Sequence, residues 1–131
     1  MVTFSRGVDQ MGRDILFLLK EDFADKSQDA GRNGVPYYCP DCAQITGVLS
    51  YFPKLRHHLD IRYVDFERPR KEIVALLSEQ HQGCPVLILD QPPAMDALAY
   101  ITGQVNGKSF ISGAKAISSY WSYKYGTSLP H

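Results

Sequence analysis

The sequence predicts an α/β fold in which a mixed sheet is flanked by helices. Short apolar runs, beginning with Ile15 to Leu19, alternate with segments whose apolar residues have helical spacing. This alternation is typical of a partly parallel sheet with helices on both faces. Asn106-Gly107 separates two strand-like segments and indicates an antiparallel hairpin. The 131 residues suit one domain with a substantial core.

The predicted elements follow the apolar pattern along the chain. The order is βαβαββα, with a long connection, residues 91–107, before the last strand. The elements are strand 14–20, helix 40–52, strand 59–66, helix 68–80, strand 84–90, a hairpin of 100–105 and 108–112, and helix 113–126.

Prolines and glycines set the predicted boundaries. Pro53, Gly83 and Gly126 are predicted to end the three helices in turn. Gly47 lies inside the first helix, where we expect it to permit close packing. Residues 1–13 are predicted to form a flexible N-terminal arm, which leaves 14–131 as the domain.

Composition narrows the class of function. The formal net charge is zero, so the electrostatics do not favour nucleic acid or an anionic membrane as a partner. No apolar run is long enough to span a bilayer, and the N-terminus lacks the apolar segment of a signal peptide. Three cysteines are too few for a disulfide-stabilised secreted scaffold. We therefore expect a cytoplasmic protein.

Cys39-Pro40-Asp41-Cys42 begins the first predicted helix and is the main chemical signal. A Cys-x-x-Cys beside a βαβ pattern is typical of a redox dithiol. Pro40 suits the first helical turn, where a missing N–H costs nothing. Helix N-termini favour a thiolate, although Asp41 opposes one. We predict that Cys39 attacks a disulfide of a small molecule or protein and that Cys42 resolves the mixed disulfide.

Two other functions fit the same residues. Cys39, Cys42 and Cys84 are a candidate zinc or iron–sulfur site, with His81 as a weaker fourth ligand. The chain also fits a non-catalytic binding or dimerisation module that forms a homodimer. Arg68 and Arg70, at the start of the second helix, are candidates for binding a carboxylate, but a solvated pair beside Glu67 and Glu72 is the favoured interpretation.

Three motifs resemble glutaredoxins and the N-terminal domain of glutathione transferases, which share a thioredoxin-like fold. The Tyr38-Cys39-Pro40-Asp41-Cys42 run is similar to the glutaredoxin Cys-Pro-x-Cys site. Cys84-Pro85 resembles the cis-proline beside that site, and Phe110-Ile111-Ser112-Gly113 resembles the Phe-Ile-Gly-Gly turn. The resemblance covers residues 14–126. More narrowly, the chain resembles an uncharacterised family of bacterial thioredoxin-like proteins.

The resemblance implies a thioredoxin-like fold and a thiol–disulfide oxidoreductase. It makes Pro85 a cis-proline that holds the substrate beside the dithiol, together with Cys84. It makes glutathione a candidate cofactor, whose anionic group Ser112 and Gly113 would receive at the start of the last helix. The full substrate-binding set that it implies is Tyr38, Pro40, Cys84, Pro85, Ser112 and Gly113.

Overall fold

A computed structural model describes residues 12–28 and 34–131. Most of the predicted N-terminal arm, residues 1–11, lies outside that range. The strands are β1 (Asp14–Leu19), β2 (Leu59–Val64), β3 (Val86–Ile88), β4 (Gly103–Val105) and β5 (Lys108–Ser112). The helices are α1 (Pro40–Tyr51), α2 (Lys71–Leu76) and α3 (Ala114–Tyr125), with 3-10 turns at Lys26–Gln28, Pro53–His58 and Met95–Tyr100.

The strands form one mixed sheet in the order β2-β1-β3-β5-β4. β1 pairs with β2 in parallel, and the other three pairings are antiparallel. Leu16 to Leu19 of β1 are all buried. Because successive side chains of a strand point to opposite faces, both faces of the central strand are covered. The predicted α/β class with a mixed sheet flanked by helices is therefore confirmed.

Both arms of the predicted hairpin form strands, which gives one strand more than the order βαβαββα, in which the hairpin counted as one. Asn106 and Gly107 both have positive φ, 54° and 73°, as a two-residue hairpin turn requires. Only Gly103–Val105 of the first arm pairs with β5, because residues 95–100 form a 3-10 turn. The order is thus βαβαβββα, and the long connection is partly ordered into a turn and this strand.

Helices α1 and α3 contact each other and form one side of the core. α1 buries Ile45 and Leu49, and α3 buries Ile117 and Trp121. Gly126 adopts the left-handed conformation (φ 76°) at the end of α3, as predicted. None of the helices in the described ranges is long and apolar enough to cross a membrane.

Two local predictions were wrong. α2 covers only the six residues Lys71–Leu76, whereas the sequence predicted a helix over 68–80. It ends there because the backbone of Leu77 (φ −116°, ψ −94°) leaves the helical region. The Asn106 side chain donates to the Leu77 carbonyl at 2.6 Å, so the hairpin satisfies this helix end before Gly83 is reached. Gly47 is exposed, and a Cβ added there would meet no atom within 4 Å, so it permits no close packing.

Candidate functional site at the dithiol

Cys39 is the N-cap residue of α1, and Pro40 is the first residue of the helix. The Cys39 backbone is extended (φ −85°, ψ 113°), which turns its side chain back over the first turn. Its Sγ accepts the Cys42 main-chain N–H at 3.2 Å. The Cys-x-x-Cys motif therefore lies at a helix N-terminus, as predicted.

Cys42 lies behind Cys39 and is only 5% exposed. Burial raises the pKa of Cys42 far above its ordinary range, and its hydrogen bond with Cys39 raises it further. The Leu19 N–H, which donates to the Cys42 Sγ at 3.5 Å, opposes these effects only in part. At neutral pH Cys42 is consequently a neutral thiol. Cys39, in contrast to the buried Cys42, is half-exposed to solvent.

The segment that carries Cys84 and Pro85 packs against the dithiol. The Cys39 thiol donates to the Cys84 carbonyl oxygen at 3.9 Å. The Cys84–Pro85 peptide bond is cis, as predicted, and Pro85 is buried. Burial raises the pKa of Cys84 to about 11, against the opposing charge of Arg70. The structure thus brings Cys39, Cys42, Cys84 and Pro85 together, and all three cysteines are free thiols.

A groove of about 420 Å³ borders the dithiol, and both Cys39 and Cys42 line it. Tyr38 and Tyr63 stand exposed in it, at 65% and 45%. Among the described residues that line it, Glu21 is the only one with a charged side chain. The full lining is Leu19, Glu21, Tyr38, Cys39, Cys42, Ala43, Thr46 and Tyr63. The described residues of the groove therefore offer aromatic surface, one carboxylate and no cation to a bound molecule.

Ser112 and Gly113 lie next to the proline segment, because Ser112 pairs with Val86 across the sheet. The Ser112 N–H donates to the Thr102 Oγ1 at 2.8 Å, and the Gly113 N–H donates to the Pro85 oxygen at 3.1 Å. Both main-chain donors are therefore occupied by protein acceptors. They are not free to receive the anionic group that the glutaredoxin resemblance implies.

The zinc or iron–sulfur alternative requires that Cys39, Cys42 and Cys84 converge as ligands. Within residues 12–28 and 34–131, no group of three or more His, Cys, Asp or Glu side chains is arranged to hold a metal ion. His81, the weaker candidate ligand, instead shares a 2.8 Å hydrogen bond with Ser78 and packs edge-on against the Phe110 ring. The geometry of the described residues gives the zinc or iron–sulfur alternative no support.

Arg70 is buried, although the sequence favoured a solvated side chain at this position. The expected solvated arginine is 6% exposed, whereas Arg68 is exposed as predicted. The Arg70 Nε and Nη2 donate to the Phe66 carbonyl at 3.0 and 2.6 Å, and Nη1 donates to the Gln82 carbonyl at 2.7 Å. No local pattern distinguishes Arg70 from Arg68, because these acceptors come from separate segments of the chain.

Fold and site together define a small α/β protein with a dithiol at the start of its first helix. A family model described as "Protein of unknown function (DUF3088)" matches residues 13–129, so the chain belongs to that family. Comparisons with curated proteins and with solved structures gave no significant match.

Proposed function

We propose that this protein is a thiol–disulfide oxidoreductase with a thioredoxin-like fold. The observation that carries the proposal is the pairing of a half-exposed Cys39 at the α1 N-terminus with a buried, neutral Cys42 one turn later. Main-chain N–H groups at a helix N-terminus stabilise negative charge on sulfur. The strand order β2-β1-β3-β5 and the parallel β1–β2 pair agree with the fold that the resemblance implies.

The reaction is a two-step exchange. The Cys39 thiolate attacks one sulfur of a substrate disulfide, the substrate S–S bond breaks, and the departing thiolate takes a proton from water. Cys42 then loses its proton to solvent and attacks the Cys39 Sγ of the mixed disulfide, which releases the second substrate thiolate. The substrate gains two electrons, the Cys39–Cys42 pair loses two, and a small thiol or protein dithiol restores the reduced protein.

The surroundings of Cys39 favour uncharged or cationic disulfides. The Cys84 carbonyl lies 3.9 Å from the attacking sulfur and offers a main-chain acceptor to a substrate. Tyr38 and Tyr63 offer aromatic contact, and Glu21 attracts positive charge. Since the described lining of the groove holds no cation and the Ser112 and Gly113 N–H groups are occupied, glutathione disulfide is the poorer substrate class.

Serine variants of the cysteines test the proposal. Cys39→Ser should abolish reduction of an aromatic disulfide, because it removes the attacking sulfur. Cys42→Ser should accumulate a mixed disulfide on Cys39, visible by intact mass, because the resolving thiol is missing. Cys84→Ser, with a half-buried thiol outside the motif, is the matched control and should retain turnover. Wild-type protein without turnover, or turnover that survives Cys39→Ser, refutes the proposal.

A further inference from the structure

Arg70 carries a buried positive charge and forms no ion pair with a carboxylate of residues 12–28 or 34–131. In the described part of the chain, the ion pairs are made by Lys20 and Arg62, and none involves Arg70. Burial lowers the pKa of Arg70, since the charged form loses hydration. A charge held in this way is costly unless another group compensates it. The buried guanidinium therefore needs a compensating group other than a carboxylate of the described residues.

The hydrogen bonds of Arg70 join three segments of the chain but do not use all the N–H donors of its guanidinium. The side chain binds the Phe66 and Gln82 carbonyls, and its own main-chain N–H donates to the Gln82 Oε1 at 2.7 Å. A guanidinium has five N–H donors. Three are used here, so one on Nη1 and one on Nη2 make no hydrogen bond to a described residue. Gln82 is two residues before Cys84, so the guanidinium fixes the start of the segment that faces Cys39.

When they ionise, the cysteines are the groups whose negative charge favours the charged form of Arg70. Cys84 has the largest effect in favour of the charged guanidinium, and Cys42 and Cys39 act in the same direction. The exposed Arg68 opposes it as a like charge. Reciprocally, Arg70 is the largest influence that lowers the pKa of Cys84 against burial. Among the groups that act on Arg70, the thiolate forms of the three cysteines, and not their neutral thiols, are therefore its counter-charges.

We propose that Arg70 is a positioning residue whose buried charge stabilises the thiolate that the Cys39, Cys42 and Cys84 cluster gains when the dithiol is reduced. The inference rests on the proposed function. Reduction of the Cys39–Cys42 disulfide adds two electrons and breaks the S–S bond to give two thiolates, of which the buried Cys42 takes up a proton and one thiolate is left in the cluster. Arg70 stabilises that thiolate relative to the disulfide, in which no sulfur is charged. Removing the charge therefore shifts the equilibrium toward the disulfide.

The test compares Arg70→Met, Arg70→Lys and the neighbouring control Arg68→Met. Each protein is equilibrated with oxidised and reduced dithiothreitol, so that the protein dithiol plus oxidised reagent gives the protein disulfide plus reduced reagent. Arg70→Met should raise the constant for disulfide formation by about threefold or more. Arg70→Lys keeps a cation but loses the forked donors, so it should restore this constant while remaining less stable to urea. Arg68→Met should change the constant little, since an exposed charge is screened by solvent and salt.

An unchanged or lowered constant in a folded Arg70→Met protein overturns the inference. The inference is also overturned if Arg70→Lys has the same constant for disulfide formation as Arg70→Met, because the role of Arg70 is then structural. If the wild-type protein forms no Cys39–Cys42 disulfide, the proposed function fails, and the rate of Cys84 alkylation at fixed pH tests Arg70 by itself. That rate should fall by about threefold or more in Arg70→Met relative to Arg68→Met, and equal rates overturn the inference.

Wild-type protein supplies a test that needs no variant to fold. A buried charge keeps its effect in 1 M salt, where the screening length is about 3 Å, whereas an exposed charge loses it. The Cys84 alkylation rate should therefore stay constant as salt rises. A fall of about threefold or more identifies exposed Arg68 as the source of the charge and overturns the assignment to Arg70.

Discussion

Cys84 should react slowly with disulfides, because burial keeps its thiol neutral. The expected reduction in rate follows from its pKa of about 11. At pH 8 such a thiol is ionised to roughly 0.1%, whereas an ordinary cysteine with a pKa near 8.5 is ionised to roughly a quarter. The more basic thiolate is intrinsically more nucleophilic, with a Brønsted coefficient of about 0.4–0.5, which recovers roughly tenfold. Exchange of Cys84 with a small disulfide should thus be roughly 20-fold slower than that of an ordinary thiol.

The assay uses a Cys39→Ser, Cys42→Ser protein, in which Cys84 is the only cysteine, and follows the thiol released from an aromatic disulfide. The same protein unfolded in urea is the matched control. The unfolded rate should level off above about pH 8.5, while the folded rate should keep rising about tenfold per pH unit to pH 10. A folded rate that levels off near pH 8.5, or equals the unfolded rate at pH 8, refutes the reasoning that burial controls this thiol.

Further predictions concern stability, followed by the fluorescence of the single, fully buried Trp121 during urea unfolding. Gly47→Ala should stabilise the protein by about 0.5–1 kcal/mol, because the site is helical and open; a loss of stability contradicts this. Gly103→Ala should destabilise it by about 1–3 kcal/mol, because the new Cβ would lie 2.9 Å from the Phe110 ring; an unchanged unfolding midpoint would show that the ring moves freely. Burial raises the pKa of Asp14 above its ordinary 3.8, so the folded protein binds more protons than the unfolded chain between the two pKa values, and stability falls as pH rises through that interval. Asp14→Asn, which keeps an acceptor for the main-chain N–H of residue 90, should flatten this part of the profile; an equally steep profile would assign the effect to another group.

Features governed by short-range chemistry were predicted well. A proline after Cys39 starts α1, Asn106-Gly107 forms the turn, and Gly126 ends α3. Each depends on the φ that a residue can adopt or on a missing N–H, so neighbouring residues suffice to predict it. The apolar run of β1 likewise indicated a central strand covered on both faces.

Features that depend on distant partners were not predicted. α2 ends early because Asn106, 29 residues away, binds the Leu77 carbonyl. Arg70 resembled a solvated cation until the fold placed the Phe66 and Gln82 carbonyls around it.

The sequence by itself thus determined the α/β class, the mixed sheet and the placement of Cys39 and Cys42 at a helix start. Only the tertiary structure decided that Cys42 is buried, that the Cys84 carbonyl faces Cys39, and that Arg70 is buried against the Phe66 and Gln82 carbonyls. The physical reason is that backbone conformation responds to adjacent residues, whereas desolvation and electrostatic effects depend on segments that folding brings together.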